Sequence, residues 1–211
     1  MRSKRAIACL TIGLLLLAAA LFYTGYVLWT DYRAGVAAGQ ALSALASPAP
    51  TPEPEPPEQT PEPEQTPEPP DPDREMPTVL IEGEAYIGTL SIPALGLELP
   101  VISEWSDPRL KLAPCRYAGS AYRSGFVIAG HNYRSHFGPI RNLAGGEEIC
   151  FTDAGGDAYR YTVAQTEVLA PTAIEEMTSE DWDLTLFTCT PGGKARFAVR
   201  CTAADPPEAG T

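Results

Sequence analysis

Two histidines and five cysteines are all the chain offers among the residue types that most often carry metal or thiol chemistry, and no two cysteines form a CxxC pair. Without that spacing a zinc ribbon has little support, and five cysteines in 211 residues are too few for a disulfide-dense miniprotein. The 18 glycines show no period of three, which excludes a collagen-like rod. Positive charge is scarce as well. Fifteen Lys and Arg stand against 27 Asp and Glu, a formal net charge of −12, which leaves no basic surface to neutralise phosphates and argues against a nucleic-acid partner.

Charge is absent altogether from residues 6–30. That run makes a helix of about 37 Å, enough to cross a hydrocarbon core of about 30 Å with some tilt. Phe22, Tyr23, Tyr26 and Trp29 sit in its C-terminal half, where an interfacial belt would lie, and Arg2, Lys4 and Arg5 precede it. The pattern predicts a transmembrane signal anchor over 6–30, with residues 1–5 in the cytoplasm and the rest outside the cell. A cleaved secretory signal peptide is the competing reading, because a basic start followed by LLLLAAA fits that pattern too; either reading exports the remainder.

Residues 31–46 can extend the helix as a short juxtamembrane stalk. Residues 47–77 then hold thirteen of the 22 prolines and nine acids against Arg74, with TPEPE-like repeats beginning at Thr51 and Thr60. Proline removes backbone donors and glutamates repel, so this Pro/Glu-rich linker reads as extended polyproline, at most roughly 95 Å long. It serves either as a spacer that holds a domain off the lipid or as a disordered connection of arbitrary length. One small folded domain follows, over 78–203, with a flexible tail at 204–211.

Within the domain, short apolar or alternating runs are punctuated by Gly, Pro, Asn and Asp. They predict strands over 86–92, 97–102, 126–129, 148–152, 159–168, 184–188 and 196–201. Helical pieces fit at 108–112, 136–143 and 172–177, none long enough for a βαβ crossover. The expectation is an all-β domain, a small and mostly antiparallel barrel or sandwich.

A nucleophilic enzyme needs a thiol or hydroxyl, a base within hydrogen-bond reach and a donor for the developing oxyanion. Cys189 ends an apolar run in TLFTCTPGG, just before a turn that would expose it. His131 follows a strand in FVIAGHNY, and His136 opens SHFGPIRNL. Taken singly, each has a bland reading: a strand-end cysteine is more often a small buried hydrophobe, a lone histidine is more often structural, and Arg196 and Arg200 could belong to a solvated strand face.

Taken together, TLFTC followed by ARFAVR resembles the signature of sortases, the membrane-anchored cysteine transpeptidases of Gram-positive bacteria. YIGTLSIPALGLELPV, VIAGHN and HFGPIRNLAGGEEI are similar to that family's opening strands, its histidine-bearing segment and the stretch after it, so the resemblance runs from about Ala85 to Cys201. It implies a closed β-barrel of about eight strands with short helices. It also implies Cys189 as nucleophile, His131 as general acid and base, and Arg196 as oxyanion or substrate-positioning donor. The implied reaction opens an LPXTG-like sorting signal through a thioester and passes the protein to an amine, from a peptidoglycan precursor or another acceptor.

Arg200 is the alternative arginine, four residues along the same strand face, and His136 the alternative histidine. Thr188 and Asn132 are candidate substrate-binding residues; Asn132 could equally orient the imidazole or satisfy a turn. The resemblance implies no metal and no cofactor, and leaves calcium dependence open. The polar end CTAADPPEAGT favours a class A-like or class D-like enzyme over the pilin-polymerising class. Cys115, Cys150 and Cys201 have no counterpart among the matched residues; core filling is their default, and a Cys150 to Cys201 bridge is conceivable on two strands of an exported domain. Rival functions are a hydrolase that lets water resolve the thioester, a noncatalytic wall-associated barrel, and a metal-binding module built on His131, His136 and thiols.

Overall fold

Short runs of β-branched and aromatic residues between turn formers fold here as strands, and their order around one sheet decides the architecture. The computed structural model describes residues 2–46 and 74–204. Most of the Pro/Glu-rich linker, residues 47–73, and the tail from residue 205 lie outside the described residues.

The chain opens with helix α1 (Arg2–Ala46). The strands are β1 (Val79–Ile81), β2 (Glu84–Ile92), β3 (Leu97–Ile102), β4 (Cys115–Ala118), β5 (Phe126–Ala129), β6 (Glu148–Asp153), β7 (Ala158–Leu169), β8 (Leu184–Cys189) and β9 (Arg196–Ala203). Two single-turn helices interrupt them, α2 (Asp107–Leu110) and α3 (Ile174–Met177). A 3₁₀ segment at Gly138–Asn142 takes the place of the helix expected over 136–143. Sequence reading missed β1 and β4, which have three and four residues and too little alternation to register.

The sheet order is β1-β2-β3-β4-β5-β8-β9-β7-β6, and β6 pairs back onto β2. Eight strands, β2 to β9, therefore close into a barrel, while β1 covers the N-terminal end of β2 on the edge that β6 takes further along. Closure requires Gly88: a Cβ there would stand 2.1 Å from the Thr152 carbonyl oxygen on β6. The barrel is filled by side chains. Ile87, Leu90, Phe126, Ile128, Phe151 and Leu186 are fully buried, each contributing about 1.5–3 kcal/mol by leaving water.

Two strand pairs are parallel, β3 with β4 and β5 with β8, against an otherwise antiparallel set. The second of them positions the site. Outside the barrel, α3 covers a patch of Val127, Leu169, Met177 and Ala198, so the strand face that bears Cys189 is itself partly apolar.

A Cys150 to Cys201 bridge is not formed, and the topology explains why. Strand β7 lies between β6 and β9, separating the two cysteines by two strand spacings, roughly 10 Å and beyond a disulfide's reach. Cys115 and Cys201 are fully buried, and burial pushes both thiols up to about 12.

Candidate active site

Cys189 is the last residue of β8 and is exposed. The segment after it is tied off by Thr190, whose N–H and hydroxyl donate to the Ala195 carbonyl at 3.0 and 3.2 Å; Gly193 returns its N–H to the Thr190 carbonyl at 2.8 Å. Gly192 and Gly193 turn with φ of 83° and 73°, values that favour glycine. This closes a tight hairpin onto β9 in which Cys189 and Arg196 are direct cross-strand partners. Partners in an antiparallel pair project to the same face with Cβ atoms about 5 Å apart. Arg196 Nη1 donates to the carbonyls of Gly193 and Ala195, each at 3.2 Å, so its guanidinium is held at the hairpin beside the thiol.

On the other side of β8 lies β5. The parallel register pairs Phe126 with Leu184 and continues to Ala129 with Phe187, after which Gly130 N–H donates to the Phe187 carbonyl at 3.0 Å. Carried two residues on, that register sets His131 beside Cys189. Cys189 and Arg196 on neighbouring strands, and His131 just past the end of β5, thus lie side by side on the outer face at one end of the barrel, His131 and Cys189 lining one cleft.

Two clefts meet at the thiol. One, about 340 Å³, is lined by Asp107, Leu110, Lys111, Gly130, His131, Asn132 and Cys189. The other, about 240 Å³, runs along Trp105, Tyr117, Ile174, Met177 and Phe187 to Cys189 and Arg196. Its aromatic side is ordered by an edge-on chain, Trp105 to Tyr117 to Phe187, with ring centroids 5.8 and 5.2 Å apart. A larger cavity of about 450 Å³ around Tyr122, Tyr159 and Tyr161 touches none of these groups.

Burial lowers the His131 pKa below its usual 6.5; the Asn132 side chain opposes this, Lys111 adds to the lowering, and Asp31 opposes it. The imidazole is therefore predominantly neutral at pH 7 and able to take a proton. It stacks on Tyr133 at 3.7 Å between ring centroids, and its Nδ1 has no hydrogen-bond partner among the described residues. Asn132 lies on the same wall of the cleft.

The alternative residues go elsewhere. His136 is 0% exposed, and burial lowers its pKa to about 4. Arg200 is 2% exposed beneath α3 and donates to Glu167, Thr185 and the Glu176 and Met177 carbonyls. Thr188 lines the groove of about 240 Å³ together with Cys189, but alternation along β8 turns its side chain to the opposite face, where it is 4% exposed with Oγ1 unpartnered among the described residues. Sequence reasoning missed the α2 wall and the Trp105, Tyr117, Ile174 groove, because nothing in their local pattern says that these loops fold back over β8.

A family model for the Sortase domain matches residues 90–204. The chain is similar to Sortase A of Bacillus anthracis, 26% identical over 129 residues, covering 54% of this chain and 57% of that protein's length. Among solved structures it resembles Sortase A from Corynebacterium diphtheriae, with a TM-score of 0.54 and 23% identity, covering 60% of this chain and 64% of that one. It also resembles Clostridium perfringens sortase C, determined with the C-terminal cell wall sorting motif, with a TM-score of 0.51 and 26% identity, covering 57% and 71%. With a family model that takes in all of β3 to β9 and these similar folds, the chain belongs to the sortase family.

Proposed function

We propose that the protein is a cysteine transpeptidase that cleaves an LPXTG-like sorting signal and joins the new carboxyl end to an amine of the cell wall. The observation that carries this reading is Cys189 as the cross-strand partner of Arg196 on β8 and β9, with His131, two residues past β5, lining the same cleft as Cys189. Thiolate is the attacking form of cysteine, and a neighbouring cation or base favours it. Neutral His131 takes the Cys189 thiol proton as Sγ attacks the scissile Thr carbonyl, the carbonyl oxygen takes up the charge, and Arg196 swings from its hairpin carbonyls to stabilise it. As the C–N bond breaks, protonated His131 delivers its proton to the leaving glycine amine. An incoming amine then attacks the thioester, gives a proton to His131, and releases the thiolate.

The apolar groove along Trp105, Ile174 and Phe187 suits the aliphatic residue of such a signal, and the cleft that holds Asp107 and His131 beside Cys189 suits the acceptor amine's approach. The Clostridium relative crystallised with a sorting motif supports the substrate class. Residues 6–30 anchor the enzyme, with the N-terminus in the cytoplasm and the barrel outside; the helix over Cys9–Leu45 is long and apolar enough to cross a membrane.

The test incubates the full chain and its Cys189→Ala variant with an LPXTG-type peptide and an amine, read by mass spectrometry. A Cys189-dependent amide product supports transpeptidation. Hydrolysis that still needs Cys189 replaces it with the protease-like reading, and turnover by Cys189→Ala overturns the nucleophile.

A further inference from the structure

Helix α1 does not leave the barrel where its apolar run ends. Side chains from residue 9 to residue 29 are exposed, but from residue 31 onward one face is covered, and Ala34, Ala38 and Ala41 are each 3% exposed. Steps of four and three place these residues on one side of a helix. Ala38 joins the main core, while Ala41 packs with Tyr86, Ile102, Ala113 and Cys115. Leu45 and Leu110 pack on that same cluster, so α1 backs the cleft wall that α2 provides.

The opposite wall is held by a hydrogen-bonded contact. Asp31 Oδ1 accepts from the Ser135 N–H at 3.2 Å and from the Ser135 hydroxyl at 2.8 Å, and the Asp31 carbonyl lies 3.1 Å from that hydroxyl. A Cβ on Gly35 would stand 3.2 Å from Ser135 Cβ, so helix and turn touch. Ser135 belongs to the turn that carries His131, and that turn is internally tied: Phe137 N–H donates to the His131 carbonyl at 3.0 Å, and the His136 and Gly138 N–H groups donate to the Tyr133 carbonyl. With Tyr133 stacked on the imidazole, a shift of Ser135 is passed to His131 through a few rigid links.

We propose that Asp31 is a positioning residue for His131, acting through Ser135, and that the part of the anchor helix beyond the membrane is a fixed wall of the active site. This rests on the sortase reading and on residues 6–30 crossing the bilayer. Because the helix meets the barrel from Asp31 onward, the length of the Pro/Glu-rich segment does not set the distance between barrel and lipid. The His131 turn is held beside the first residue after the span, so the enzyme works on signals presented at the membrane surface. A misplacement of the base on the scale of an ångström costs rate, whereas the substrate groove across β8 is untouched.

The experiment uses the full chain in lipid nanodiscs. Asp31→Ala is expected to lower kcat on the order of ten- to a hundredfold with KM changed by less than about twofold, and Asp31→Asn, which keeps an acceptor oxygen for Ser135, to recover most of that loss. A wild-type kcat in Asp31→Ala, or a loss confined to KM, overturns the positioning role. Docking is read separately and without activity. In a Cys189→Ala background the Gly35→Cys and Ser135→Cys pair should form a disulfide on mild oxidation, recovered as one cross-linked tryptic species. If both introduced thiols remain open to alkylation, the docked helix is wrong. Peptide transfer that never depended on Cys189 would defeat the sortase reading while the cross-link still reported on docking.

Discussion

Replacing Arg200 by methionine separates the two arginines of β9. The guanidinium of Arg200 is 2% exposed and makes hydrogen bonds of 2.6 Å to Glu167, 2.9 Å to Thr185, and 2.6 and 3.2 Å to the Glu176 and Met177 carbonyls of α3. Methionine keeps much of the aliphatic volume, so the loss is polar: a carboxylate, a hydroxyl and two carbonyls lose their donor. Breaking a fully buried pair on one side costs about 3–5 kcal/mol, and with Glu167 a third exposed to water the loss here lies at the lower end, about 3–4 kcal/mol. For a barrel of this size that is a fall in Tm on the order of 10–20 °C. Arg196→Met removes a partly exposed side chain bonded, among the described residues, only to its own hairpin, so its Tm should stay within about 2 °C, while kcat falls roughly 10²- to 10³-fold if the oxyanion donor is lost. The assays are a near-ultraviolet circular dichroism melt of the full chain in detergent and product formation measured below both transitions. Because α3 also lines the groove beside Cys189, Arg200→Met should raise KM modestly. An Arg200→Met protein that melts with the wild type, or an Arg196→Met protein that melts as early as Arg200→Met, would refute this division of labour.

Acid should weaken the barrel through His136. Its folded pKa of about 4 lies below the unfolded 6.5, so the unfolded state binds the proton first, stability is complete above pH 6.5 and falls as pH drops towards 4, losing about 2 kcal/mol by pH 5. Urea unfolding at pH 7 and pH 5 should show that difference, and His136→Leu should flatten it; an unchanged slope in the variant would assign it to other groups. Gly130→Ala would drive a Cβ to 2.3 Å from the buried Phe137 ring, costing about 1–3 kcal/mol and displacing His131; wild-type kcat and Tm in this variant would contradict that packing. Native alkylation at pH 8 should modify Cys189 and spare Cys115 and Cys201, whose thiols burial pushes up to about 12; equal labelling of all three would show that those sites open.

Much of the fold was legible because its information is local. Alternation along 148–152 and 159–168 marks β6 and β7, and their pairing needs only a short turn. The Thr-Pro-Gly-Gly turn after Cys189 likewise announces a hairpin, which brings Cys189 and Arg196 face to face. The same alternation places Arg196 and Arg200 on one face, yet could not say that α3 would fold over the second and bury it. Nor could it foresee Thr188 turned inward against the core, or a parallel partner for β5.

The sequence by itself thus determined the strand-rich domain and an apolar helix ahead of it, and through its resemblance to sortases it singled out Cys189 and an arginine of the next strand, Arg196 ahead of Arg200. Tertiary structure alone decided that His131 stands beside Cys189, because parallel pairing of β5 with β8 depends on closing the whole barrel and leaves no mark in either segment. It also decided that Asp31 reaches Ser135 and that residues 31–45 lie against the barrel, since small side chains in a helix read the same whether they face solvent or a partner surface. Propensity and periodicity act between near neighbours in the chain; contacts between distant segments are fixed by the collective packing of the folded whole.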